Sequence, residues 1–283
     1  MRCSILILAL LVGCSEWTIR GSGDDDDTEG PAGEPVADAG ADVQTIPLTA
    51  MRLDGSASYD PADLQIIGYR WTMISSPPGS TATLSNPDDD RPFFEPDVSG
   101  EYEFELTVAN SRDVWDSTPD RVIVDASPNA GVYVQLTWDS EFDLDLHVTQ
   151  NNAPLFSTPG DLNWCNPVAN WGLPDSDSDD GVLVEETSSG FGPEIATISD
   201  PADGTYTLQA HYYGQGGGRG CDDLPCGPSV ATMRIFIDGV EVQTVTQTLT
   251  DAQQVWRAAT ITWPGGVITP LGNIITTSEF TCF

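Results

Sequence analysis

The sequence contains no lysine, and its ten arginines face 44 acidic residues, for a formal charge of −34 at pH 7. That balance excludes a nucleic-acid binder, which needs a basic face to displace counterions from phosphate. It also disfavours docking on anionic lipid through side-chain charge. It favours cation binding, or simple solubility in a salty medium. Histidine is nearly absent, with only His147 and His211. A serine triad would need one of them, and neither lies in a G-x-S-x-G nucleophile motif. No phosphate loop or dinucleotide fingerprint occurs, and no carboxylate pair stands out as the acid and base of a glycosidase. Segments with helical periodicity are missing too. No stretch reaches the roughly 20 apolar residues a membrane helix requires. These absences point away from an enzyme.

Turn residues and short alternating segments are abundant, and they give an all-β class. The length suits two domains of ordinary size. Ahead of them the chain opens Met1-Arg2-Cys3-Ser4, then runs from Ile5 to Gly13 and reaches Cys14. One positive charge and a short apolar run have the size and flanks of a secretory signal. Leu11-Val12-Gly13-Cys14 resembles the lipobox of bacterial lipoproteins. The resemblance implies a signal peptide over 1–13, cleavage before Cys14, lipid on Cys14 and attachment to the cell envelope. Ser15 in place of Asp after that cysteine implies the outer membrane. Residues 14–34 are polar, with Gly21-Ser22-Gly23 and the run Asp24 to Asp27. They lack the apolar surface to fold and read as a disordered acidic tether.

Four cysteines remain after Cys3 leaves and Cys14 takes lipid: Cys165, Cys221, Cys226 and Cys282. An even number in an exported chain reads as two disulfides, for which three pairings are open. Cys221–Cys226 as a loop clip with Cys165–Cys282 pinning the tail is the favoured one. Paired CxxC spacing, which a zinc site of thiolates would show, is absent.

Residues 35–126 form the first expected domain. Glu101 to Val108 alternates strictly, with Tyr102, Phe104, Leu106 and Val108 on one face, as in a half-buried antiparallel strand. Ile67, Tyr69, Trp71 and Met73 mark the buried face of another. Turn clusters at Ser75-Ser76-Pro77-Pro78-Gly79 and Asn86-Pro87-Asp88 separate strands at the spacing of a β-sandwich. Val36-Ala37-Asp38-Ala39-Gly40, Leu53-Asp54-Gly55-Ser56-Ala57-Ser58-Tyr59-Asp60-Pro61, Tyr69-Arg70-Trp71 and Gly100-Glu101-Tyr102 together resemble the PKD (polycystic-kidney-disease) domain. One departure is Trp71-Thr72-Met73-Ile74 and the Ser-Ser-Pro-Pro-Gly loop, where the family usually has Trp-Asp-Phe-Gly-Asp-Gly. The resemblance implies an immunoglobulin-like spacer or adhesion module without a catalytic site.

Residues 127–283 form the second. Val132 to Trp138 alternates. So does Phe142 to Val148, whose apolar face is Phe142, Leu144, Leu146 and Val148. Asp143, Asp145 and His147 fall together on the opposite face. Close carboxylates repel unless a cation or donor lies between them. These three, with Asp139 just upstream and Glu194, form one candidate metal set. A zinc site from Asp145, His147 and His211 is a further arrangement, since both histidines project from polar strand faces. The other candidate is Asp175-Ser176-Asp177-Ser178-Asp179-Asp180-Gly181, followed by Glu186. Asp175, Asp177, Asp179 and Glu186 occupy positions 1, 3, 5 and 12 of a calcium loop, with Asp180 where glycine belongs. The segments Asp143-Leu144-Asp145-Leu146-His147-Val148, Asn163-Trp164-Cys165-Asn166-Pro167, Gly190-Phe191-Gly192-Pro193-Glu194 and His211-Tyr212-Tyr213 resemble the YfaP-type domain of bacterial surface proteins. That resemblance implies a second β-sandwich with no established reaction. The whole reads as a tethered, non-catalytic surface or adhesion lipoprotein, stabilised by calcium, with a protein or glycan ligand met by the distal domain. A metal-dependent hydrolase, or an accessory domain of one, is the alternative.

Overall fold

The computed structural model describes residues 33–173, 175–188, 190–215 and 226–277. The expected signal, Cys14 and nearly all of the tether lie outside the described residues, as do Cys221 and Cys282. No helix occurs among those described, and the chain folds as two tandem β-sandwiches.

The first uses β1 (Val43–Thr45), β2 (Met51–Arg52), β3 (Ile66–Ser75), β4 (Phe93–Phe94), β5 (Gly100–Asn110) and β6 (Asp120–Ala126). A sheet in the order β1-β6-β5-β3 faces the small β2-β4 pair. Period-two alternation on β5 places Tyr102, Phe104, Leu106 and Val108 in a core shared with Trp71 and Phe94. Ile67 departs from expectation and is 57% exposed. A bulge between Ile66 and Gly68 shifts the register there, so the alternation that holds for Trp71 is broken at Ile67.

The second uses β7 (Val132–Trp138), β8 (Phe142–Gln150), β9 (Asp161–Leu162), β10 (Val168–Ala169), β11 (Gly181–Glu185) and β12 (Glu194–Ile198). It continues with β13 (Gly204–Gln215), β14 (Ser229–Ile237), β15 (Val240–Leu249), β16 (Gln254–Trp263) and β17 (Val267–Thr276). A six-stranded sheet, β10-β11-β12-β7-β14-β15, packs on a five-stranded one, β17-β16-β13-β8-β9. Leu136, Leu144, Leu146, Leu208, Tyr212, Met233 and Trp256 meet between them. A turn at Asp238-Gly239 joins β14 to β15.

Every residue of β7 is buried, although its sequence alternates. The second face is covered by the first domain. Leu48 packs on Tyr133, Ile195 and Phe236. The Ser99 N–H donates to Gln135 Oε1 at 3.0 Å, and Arg234 Nη1 donates to the Ser99 carbonyl at 2.6 Å. The Ser-Ser-Pro-Pro-Gly loop joins this contact. A Cβ on Gly79, whose φ is +85°, would fall 2.9 Å from Thr137 Oγ1, so only glycine fits. The loop that departs from the PKD pattern is therefore a docking element.

Candidate functional site

The outer face of the five-stranded sheet is the other unusual surface. Strand pairing sets Asp145 opposite His211, His147 opposite Gln209 and Thr149 opposite Thr207. All six point away from the inter-sheet core, yet all are buried. Outward-facing sheet residues are ordinarily solvated. Here the excursion between β8 and β9 folds back over them. Phe156 lies edge-on to His147, with ring centroids 4.8 Å apart, and to His211 at 5.9 Å. Tyr213 meets His211 edge-on, with ring centroids 6.0 Å apart.

Asp161 ties the cover to the sheet. Its Oδ2 accepts the Phe156 N–H at 2.6 Å and lies 2.7 Å from His147 Nδ1. Burial opposes a charge on His147, but the Asp161 carboxylate, aided by the Asp145 charge, moves the imidazole upward. His211 moves downward, chiefly through burial. Asp145 Oδ2 stands 3.5 Å from His211 Nδ1. Asp145, His147 and His211 each present a ligand atom, all within 4.8 Å of one another, and no other such group occurs among the described residues.

More carboxylates gather on this centre. Burial, aided by the charges of Asp145 and Glu186, pushes Asp143 up to about 8. Glu194 on β12 points to the interior where Ala196 and Ile198 are apolar, and its carboxylate accepts the Leu146 N–H. This satisfies the edge of β8, which β9 pairs only at Val148 and Thr149. Burial, then the nearby Asp145 charge, holds Glu194 well above its ordinary range. Glu186 is raised by burial and by Asp145. None of the arginine ion pairs among the described residues reaches the group.

The sequence-based sets are thus redistributed. Asp143, Asp145, His147 and Glu194 come together. Asp139 does not: it is exposed, and its Oδ1 accepts the Val230 N–H at 2.7 Å. The Asp-rich loop is not gathered around a common point. Asp175 and Asp177 are exposed. Asp179 Oδ2 accepts the Leu173 N–H at 2.6 Å, and Asp180 Oδ1 accepts the Trp171 N–H at 2.9 Å. Gly172 permits this, since a Cβ there would lie 2.1 Å from Asp179 Oδ2. Glu186, the twelfth position of that loop, couples instead to Asp145 and Asp143. Asp161 escaped sequence reasoning because a two-residue strand carries no periodicity. Cys165 and Cys226 are each disulfide-bonded; their expected partners, Cys282 and Cys221, lie outside the described residues.

Beside the cluster, on the same face, lies a cavity of about 440 Å³. Thr149, Thr207, Gln209 and Arg257 form its floor, and Asn152 to Leu155 form a wall.

Residues 39–124 match the family model described as the K319L-like PKD domain. No curated protein matches the chain. Among solved structures, the chain is similar to the PKD domain of the KIAA 1837 protein, with 32% identity over 37% of this chain and 99% of that one, at a TM-score of 0.28. A nucleoside hydrolase-related hypothetical protein from Saccharophagus degradans, associated with carbohydrate metabolism, is 17% identical over 34% of this chain and 26% of its own length, at a TM-score of 0.28. The D00-D0 domain of intimin is 8% identical over 77% of this chain and 99% of its own, at a TM-score of 0.27.

Proposed function

We infer that this chain, whose residues 39–124 are a PKD-like domain, is a non-catalytic cell-envelope lipoprotein that binds a protein or glycan ligand through a cation-stabilised second sandwich. One observation carries this reading: the buried polar outer face of the five-stranded sheet, beside a polar cavity. A sandwich that served only as a spacer has no use for buried carboxylates and imidazoles, each of which costs stability unless paired. Asp143, Asp145 and Glu194 converge without an arginine among the described residues, and a bound cation removes their repulsion. Thr149, Thr207, Gln209 and Arg257 offer the donors and acceptors that hydroxyl-rich or acidic ligands use. The likeness of residues 127–283 to the YfaP-type domains of surface proteins supports display, and Cys14 supplies the anchor.

The Asp145–His147–His211 group also favours a second reading, a metal-dependent hydrolase. A catalytic metal keeps a ligand position open to substrate, whereas these three side chains are buried under Phe156 and Tyr213. The closed arrangement supports the non-catalytic reading.

The test is affinity electrophoresis of the full chain through gels containing bacterial, algal or host polysaccharides, with and without chelator. Retardation by at least one of them, weakened about tenfold by Arg257→Ala and lost on chelation, is the expected result. Multiple turnovers of ester or glycoside substrates by the metal-loaded chain would overturn the reading.

A further inference from the structure

We propose that Asp145, His147 and His211 hold a resident divalent transition metal of the zinc class, with Asp161 orienting His147 behind it. This rests on the cation reading above and fixes the kind of cation and its ligands. Two imidazoles and one carboxylate form a donor set suited to zinc and its neighbours. Calcium takes six to eight oxygens and disfavours nitrogen.

His147 carries the independent observation. Its ring is 0% exposed, and its Nε2 has no hydrogen-bond partner. An imidazole edge buried without a partner is costly in a structural role. The opposite edge explains the arrangement. Asp161 Oδ2 already accepts a backbone N–H from Phe156, so it meets His147 Nδ1 as an acceptor and places the ring proton there. The Nε2 lone pair is then presented outward from that pair. A carboxylate behind a histidine is how metal-ligating imidazoles are fixed in tautomer and direction.

The ligand spacing agrees. Ligands about 2.0–2.2 Å from a tetrahedral zinc lie roughly 3.3–3.5 Å apart. Asp145 Oδ2 and His211 Nδ1 are 3.5 Å apart, close to that separation. All three ligand atoms fall within 4.8 Å, so side-chain rotations of about an ångström complete the set. The ligands come from paired strands, Asp145 opposite His211 and His147 two residues along, so the β8–β13 ladder holds them rather than a loop. Asp143, next along the same face, has a buried Oδ1 without a partner. Closed under Phe156, such a metal stitches β8, β13 and the covering excursion together.

The untagged full chain, purified without chelator, is assayed for metal by mass spectrometry. It is then stripped and titrated with zinc, cobalt(II) and calcium by calorimetry. One zinc per chain is expected, undisturbed by millimolar calcium, with the visible absorption of tetrahedral cobalt(II) when that ion replaces it. His147→Ala and His211→Ala should each weaken zinc at least 100-fold, and Asp161→Asn about 10–100-fold. Asp175→Ala and Asp177→Ala, both on exposed residues of the Asp-rich loop, should leave it unchanged. If a histidine variant does not fold, the cobalt spectrum of the unmutated chain still decides. Calcium binding without zinc binding would overturn the metal assignment and keep the cation reading. Binding of neither would overturn both.

Discussion

Asp116 isolates what one buried carboxylate does to this fold, far from the polar face of the second sandwich. Its Oδ1 accepts the Val108 N–H at 2.6 Å, while its Oδ2 is buried without a partner. Burial outweighs that hydrogen bond and raises its pKa, and Glu34 and Glu105 add to the effect. A folded-state value above the unfolded one means that the folded state keeps its proton where the unfolded state has lost it. The stability is therefore full below the unfolded value of about 3.9 and falls as pH climbs through the folded one. Asp116→Asn retains the acceptor for Val108 and removes the charge. Its melting temperature should match the parent near pH 3 to 4 and exceed it at neutral pH. A difference that does not change with pH would show that burial of the charge is not the cause. The same physics operates at Asp143 and Glu194. Sequence showed part of that cluster, because Asp143, Asp145 and His147 alternate with core residues on one strand. It did not show Asp161, which comes from a two-residue strand, or that Asp179 and Asp180 turn back to their own backbone.

At the scale of elements, alternation was legible wherever a strand has one solvated face. On β5 it placed the core residues correctly. It failed at Ile67, where a bulge changes the phase, because a bulge is set by pairing across the sheet and not by the strand's own residues. It misled on β7, whose alternating pattern implies one wet face. Tyr133, Gln135 and Thr137 are instead buried under the first domain, and a contact between distant segments has no period in the sequence. Phe236 anchors that contact: Tyr133 meets it edge-on at 5.4 Å, and the Arg234 guanidinium lies 5.0 Å from its ring centre. Phe236→Ala should cost about 3 kcal/mol. It should also split a single calorimetric transition into two, as the sandwiches begin to unfold separately. One unchanged transition would mean that the docking contributes little to cooperativity.

For the whole molecule, the two sandwiches and their order followed from composition and motif, but not how they are joined. The sequence read as a spacer or adhesion module followed by a distal binding domain, with nothing to indicate a contact between them. The first domain instead covers the six-stranded sheet of the second, so the polar face and its cavity lie on the opposite side of that sandwich. The PKD-like domain packs against the second sandwich through Leu48, Ser99 and the Ser-Ser-Pro-Pro-Gly loop. Everything attributed to the exposed side depends on the buried face of the five-stranded sheet holding a metal ion. The most direct measurement is X-ray diffraction from crystals of the chain grown with zinc, collected just above and just below the zinc absorption edge. A single anomalous peak between Asp145, His147 and His211, present above the edge and absent below it, is the result predicted. Zinc density at other residues with none at these three, or no anomalous density at all, would contradict the account.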